Sequence, residues 1–131
     1  MGAWEAGAFE NDTAMDWVAD LERGGADAVR SALAATAYGY IEASEGEEAV
    51  AAAEVIASAL GQGGPELPDD VARWIRAHGR QFSAEDVALA RGAMRRIVSE
   101  DSELRELWVD DAEDEDWPRA MEDLQRRLAA L

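Results

Sequence analysis

The chain has 131 residues, with 29 Asp and Glu residues against 12 arginines and no lysine, and its formal net charge at pH 7 is −17. It has no cysteine and a single histidine, His78, which excludes disulfides, thiolate metal sites, cysteine nucleophiles and chemistry that needs two histidines. A surface this negative repels nucleic-acid backbones and anionic membranes, so neither is an expected partner. No apolar run approaches the roughly 18 residues of a membrane helix, and no secretory signal is evident.

These properties predict a single domain over residues 1–131, located in the cytoplasm. An acid-rich chain without lysine would also suit a cytoplasm of high salt concentration, which is a minor alternative explanation of the composition.

The segment richest in aromatic residues is the N-terminal one. Residues 4–17 hold three of the nine aromatic side chains of the chain. Because aromatic surface is the strongest local source of burial energy, residues 1–11 are expected to fold back as a non-helical aromatic plug over a helical body. A first helix should follow, since residues 11–13 are all good N-cap types, and it should end at Gly24 and Gly25.

One side of this first helix is acidic. The apolar residues between Ala14 and Leu21 follow helical spacing, and Asp12, Asp16 and Asp20 fall on the opposite side. The aspartates are therefore expected to be solvated. Asp12 and Asp16 are one turn apart and could instead share a divalent cation.

The rest of the chain also has helical periodicity. Further helices are predicted at about 27–37, 44–60, 68–78, 83–98, 100–109 and 117–131. Ser44 and Glu47 have the spacing of a capping box, and Tyr38 and Tyr40 before them are expected to pack as core with their hydroxyls at the edge. The prediction is an all-α, compact single-domain bundle of six or seven short helices.

Several charged residues within these helices have two possible roles. Glu54 has mostly small apolar neighbours on its helix, so it either pairs with an arginine, lies at a solvent edge, or serves chemistry. Arg91, Arg95 and Arg96 are the only basic concentration and could hold an anion, although internal ion pairs are the favoured interpretation. Residues 100–116 include ten acidic side chains, and 110–116 should be an exposed acidic loop.

The last helix carries an apolar seam from Trp117 to Leu131 with 4-3-4-3 spacing. This seam packs either on the body of the protein or on a second copy, which gives a monomer or a weak homodimer through the C-terminal helix.

Three segments together resemble a known family. They are residues 4–17, with the pattern Trp-x-x-Gly-x-Phe-Glu-Asn-Asp-x-Ala-x-Asp-Trp, residues 52–55 and residues 100–108. The chain is similar through almost its whole length to the bacterial family called domain of unknown function 4259. The resemblance implies a small bacterial protein, and it carries over no catalytic residue because the family has no established activity.

No motif predicts a catalytic residue, a metal site or a cofactor. The leading hypothesis is a non-enzymatic interaction protein that binds a basic partner, as an immunity-type inhibitor or a nucleic-acid mimic would. The alternative is a divalent-metal-dependent hydrolase or a ligand-binding domain that uses helix carboxylates. The candidate ligand-binding residues, which lie in the N-terminal segment and on the first and third helices, are Trp4, Glu10, Asn11, Asp12, Asp16, Glu42 and Glu54.

Overall fold

The chain folds as an all-α protein, as its periodicity predicts. The computed structural model describes residues 7–63, 67–109 and 115–131, and within them it has seven α-helices and no extended strand. A 3₁₀ turn at Gly79–Gln81 follows the fourth helix. The helices are α1 (Asp12–Gly24), α2 (Ala26–Ala34), α3 (Ala43–Ala59), α4 (Asp69–His78), α5 (Ala84–Ile97), α6 (Glu103–Val109) and α7 (Asp116–Ala129).

The centre of the fold is α3, which packs against each of the other six α-helices. Ten of its residues are buried and five of these are alanines. A helix that is apolar on all sides belongs inside a protein, and its small side chains let the surrounding helices approach closely. None of the described helices combines the length and apolarity needed to cross a membrane.

Residues 7–11, the described part of the predicted plug, form a turn that leads into α1. Phe9 is buried there, and Asn11 is the N-cap, its Oδ1 accepting the Ala14 backbone N–H at 2.7 Å. The Glu10 side chain packs over Gly7, where an added Cβ would lie 2.0 Å from its Oε1 and would force that side chain to move. The family-like pattern at residues 7–11 thus has a structural role, while Trp4 lies outside the described residues.

The third helix starts earlier than predicted. Its N-cap is Glu42, whose backbone N–H donates to Oε1 of Glu45 at 3.2 Å, so the Ser44–Glu47 capping box is wrong. A parallel β-bridge between Ile41 and Ser102 fixes the backbone before the helix. The start is therefore set by a contact with a distant segment.

The prediction that the two tyrosines are core residues is also wrong. Tyr38 is 89% exposed and Tyr40 is 49% exposed. The second helix ends at Ala34, several residues before the predicted end, and the chain then turns outward through Gly39 at a φ of 68°. Ile41 takes the buried position in this connection.

The last helix packs on the body of its own chain. Its contacts are with α3 and α5, and Trp117, Met121, Leu124 and Leu128 are buried. The helix begins at Asp116, one residue inside the predicted acidic loop, of which residues 110–114 lie outside the described ranges. A homodimer through α7 stays a prediction, and it would have to use the polar side of the helix.

Candidate functional site

The candidate residues of the N-terminal segment do not converge with Glu54. Asp12 and Asp16 are exposed on α1, Asn11 is occupied as the N-cap, and Glu42 caps α3. In the part of the chain that the structure describes, no three His, Asp or Glu side chains are grouped so that they could hold a metal ion.

Glu54 is buried and forms an ion pair. Its side chain is 1% exposed, and Arg127 of α7 binds it with both ends of the guanidinium, Nη1 to Oε2 at 2.7 Å and Nη2 to Oε1 at 2.8 Å. The Ser58 hydroxyl donates to Oε2 at 2.9 Å. The interpretation that Glu54 pairs with an arginine is confirmed. Because both carboxylate oxygens are engaged, this group joins α3 to α7 and has no oxygen free for a ligand.

Arg127 is held by further contacts. Its Nε donates to Oδ2 of Asp123 at 2.9 Å and its Nη1 to the Gln62 carbonyl at 3.1 Å. The hydrogen bond from Arg127 to Glu54 is the largest cause of the raised pKa of the guanidinium. A guanidinium fixed by three partners is well ordered, and such bidentate geometry is the arrangement in which arginine binds carboxylates best.

A second buried carboxylate, Asp86, has a similar structural role. It caps α5 by accepting the Ser83 backbone N–H at 2.9 Å, and it pairs with Arg30 of α2 through Nε at 2.9 Å. The hydrogen bond from Arg30 is the main reason why the pKa of Asp86 is lowered. No local pattern indicates the pairing with Arg30, which is 56 residues away in the chain.

A further group of carboxylates forms a band on the surface, and some of its members also cap α3, since Glu45 accepts from the Glu42 N–H and Glu103 from the Ala43 N–H. We call it the acidic band: it crosses from α1 over the start of α3 to α6 and consists of Asp20, Glu48, Glu45, Glu42, Glu103 and Glu106. Within the described ranges only Asp20 of this set has an ion pair, with Arg23 at 2.7 Å. The band therefore keeps most of its charge uncompensated.

Glu47 and Glu48, which were not among the candidates selected from the sequence, have raised pKa values in this arrangement. Partial burial raises the pKa of Glu48, and the charges of Asp20 and Glu45 raise it further. Partial burial also raises the pKa of neighbouring Glu47, with a smaller contribution from Asp12, although a hydrogen bond with Thr13 opposes it. The three glutamates within residues 45–48 were the sequence feature that could have identified these two residues.

The exposed tyrosines lie at the α6 end of the acidic band. The Tyr40 hydroxyl donates to Oε2 of Glu106 at 2.7 Å, which together with the charges of Glu103 and Glu42 raises the pKa of Tyr40 to about 12. On α6, Leu107 is 58% exposed. We call the exposed side chains of Tyr38, Tyr40 and Leu107 the tyrosine patch.

The fold and this surface define a class: a small all-α domain with exposed tyrosines beside a band of carboxylates that have few cationic partners. The chain belongs to the family described as domain of unknown function (DUF4259), whose sequence profile matches residues 2–120. The resemblance seen in the sequence is thereby confirmed. Comparison with the curated proteins and with the solved structures gave no match.

Proposed function

We propose that this protein is a non-enzymatic interaction module that binds a basic protein partner on the tyrosine patch and the adjoining acidic band. The observation that carries this proposal is that both tyrosines of the chain are exposed and that Tyr40 stands beside carboxylates that have no arginine partner among the described residues. Exposed aromatic and apolar side chains next to uncompensated charge are informative, because burial of apolar surface and pairing of charge are what stabilise an isolated fold.

The chemistry of the patch suits a partner rich in arginine or lysine. Tyrosine is enriched at the energetic centres of protein interfaces, and its ring attracts a cation placed over its face. Tyr40 is already oriented by its hydrogen bond to Glu106. Such pre-ordering lowers the entropy cost of binding.

The electrostatics of the band support the same kind of partner. The charges of Asp20 and Glu45 raise the pKa of Glu48 because these carboxylates repel that of Glu48, and an approaching cationic surface would relieve this repulsion. Complementary fields of this kind speed association to about 10⁸–10⁹ M⁻¹s⁻¹ at low salt. An immunity-type inhibitor of a basic toxin and a mimic of a nucleic acid are the two concrete forms of the proposal.

The test compares pairs of variants with equal net charge. The variant Glu48→Gln/Glu106→Gln removes two charges from the acidic band, while Glu85→Gln/Glu122→Gln removes two exposed charges from α5 and α7. Binding of a deca-arginine peptide, followed by fluorescence anisotropy at low salt, should weaken more in the first variant.

Tyr38→Ala should weaken binding of the same peptide with no change of charge, and exposed Leu131→Ala is its control. Equal losses in both members of each pair would refute the proposed surface.

The competing proposal is a divalent-metal-dependent hydrolase or ligand-binding domain that uses Glu10, Asp12, Asp16 and Glu42. Its fifth member, Glu54, is engaged by Arg127, and no described contact favours this function. Millimolar magnesium, manganese or calcium should raise the melting temperature if the site exists. A rise that disappears in Asp12→Asn/Asp16→Asn would favour this function over the interaction module.

A further inference from the structure

A groove lies between the C-terminal part of α2 and α5, on residues that take no part in the proposed interaction surface. Its volume is about 540 Å³. The floor is apolar and comes from both helices, whereas arginines lie on the rim near the end of α5. The lining residues that matter here are Leu33, Thr36, Leu89, Gly92, Arg95 and Arg96.

The arginines at this groove are not neutralised by the carboxylates that the structure describes. Internal ion pairs were the expected use of Arg91, Arg95 and Arg96, and this expectation is wrong for the described residues, because none of the three has a carboxylate within 4.0 Å. Arg96 donates to the Gly39 carbonyl, and Arg91 and Arg95 are exposed. A cationic spot thus persists on a chain with a net charge of −17.

Gly92 keeps the floor of the groove open. It lies in the interior of α5, where glycine costs about 1 kcal/mol relative to alanine. A Cβ at this position would meet only Nη2 of Arg95, at 3.8 Å, so neither crowding nor a left-handed backbone requires glycine here. Because glycine has no side chain, position 92 leaves space beneath the Arg95 guanidinium.

We propose that this groove binds a small amphiphile with one carboxylate head and an aliphatic tail. The head would pair with Arg95, whose planar guanidinium matches a carboxylate, while Arg96, which the Gly39 carbonyl holds, adds positive charge beside it. The tail would lie on Leu33, Leu89 and the backbone of Gly92. The groove has the size of small-molecule sites, about 300–1,000 Å³, and like them it has an apolar lining with a few polar groups.

The charge of the protein selects a single carboxylate over a polyanion. Each additional negative charge on a ligand is repelled by the field of the acidic surface, whereas one carboxylate is balanced locally by the rim arginines. A nucleotide or another ligand with several phosphates therefore suits this groove less well than a fatty-acid-like monoanion.

Titration calorimetry of the full chain with decanoate tests the proposal. Saturable binding is expected, and Arg95→Ala should weaken it about tenfold or more because a charge-assisted pair is lost. Arg91→Ala is the matched control: it removes the same charge from the same helix but does not line the groove, and it should change affinity little. Decyl phosphate should bind more weakly than decanoate, and 1-decanol more weakly still.

Two variants at position 92 test the groove without altering charge. Gly92→Leu should fill the floor and weaken decanoate binding at least as much as Arg95→Ala, whereas Gly92→Ala should fold with a higher melting temperature. Absence of saturable binding, or equal losses in Arg95→Ala and Arg91→Ala, would overturn the proposal. These outcomes are independent of the deca-arginine test, which uses other residues.

Discussion

Two glutamates six residues apart on α3 have opposite environments. Glu54 is buried, and its two oxygens are held by Arg127 and Ser58. Glu48 is half-buried with no ion pair among the described residues, and its pKa is raised by burial and by the charges of Asp20 and Glu45. The comparison teaches that the same side chain on the same helix is structural where an arginine of α7 contacts it, and keeps an unpaired charge where other carboxylates surround it.

The largest effect is expected from breaking the buried pair. Arg127→Ala leaves the Glu54 charge buried without a partner, which should cost about 3–5 kcal/mol of unfolding free energy. Urea denaturation measures this. Neighbouring Arg126→Ala is the control, since Arg126 makes an exposed pair with Asp123 that is worth at most about 1 kcal/mol. Similar losses in the two variants would mean that Glu54 is not held as described.

A smaller loss is expected at the other buried carboxylate. Asp86→Asn removes the charge and replaces one of the two carboxylate oxygens by an amide nitrogen that cannot accept, so it weakens the hydrogen bonds from the Ser83 N–H and Arg30 and should cost about 1–2 kcal/mol. Because folding lowers the pKa of Asp86, its contribution is complete above the unfolded pKa of about 4 and is lost as pH falls through the folded pKa. The difference in stability between wild type and variant should therefore shrink below about pH 4. A difference that stays constant there would contradict the lowered pKa.

The opposite sign is expected in the acidic band. Glu48→Gln removes a half-buried charge that its neighbours repel, and it should stabilise the fold by a few tenths of a kcal/mol, since solvent still screens this charge in part. Folding raises the pKa of Glu48, so the unfolding free energy of the wild type should rise as pH falls through the folded pKa towards the unfolded value of about 4.3. Exposed Glu122→Gln is the control. A destabilised Glu48→Gln would show that this glutamate is held like Glu54.

The smallest effect on stability is expected at the α6 end of the acidic band, where the substitution should instead change the titration of Tyr40. Glu106→Gln removes the carboxylate that raises the pKa of Tyr40 to about 12. The titration of Tyr40, followed by tyrosinate absorbance, should move towards the ordinary value of about 10. Tyr40→Phe identifies which tyrosine produces the change, and an unshifted titration in Glu106→Gln would remove Glu106 from the tyrosine patch.

The number and type of the helices could be predicted because the signals are local. The apolar spacing of α1 and α7 and the acceptors at Asn11 and Asp86 act within one or two turns. The predicted start of a helix was wrong where the backbone hydrogen-bonds with a segment that is distant in the chain. Glu42 replaced Ser44 as the cap of α3 because Ile41 hydrogen-bonds across to residues 101 and 103.

The candidate site could be predicted only in part. Sequence reasoning selected Glu54 as unusual, but its partner Arg127 is 73 residues away, and no local pattern connects them. It missed Glu48 and the tyrosine patch because exposure depends on what packs nearby. Trp4 lies outside the described residues, so its role as a candidate ligand-binding residue stays a prediction.

The sequence by itself determined an all-α chain, its family, its negative charge and the lack of cysteine chemistry, since composition and helical periodicity are carried by single residues and their near neighbours. Only the tertiary structure decided which charges meet. Ion pairs and exposed patches depend on contacts between helices that are distant in the chain, and these contacts made Glu54 a structural group while they left the acidic band and the arginines of α5 open to partners.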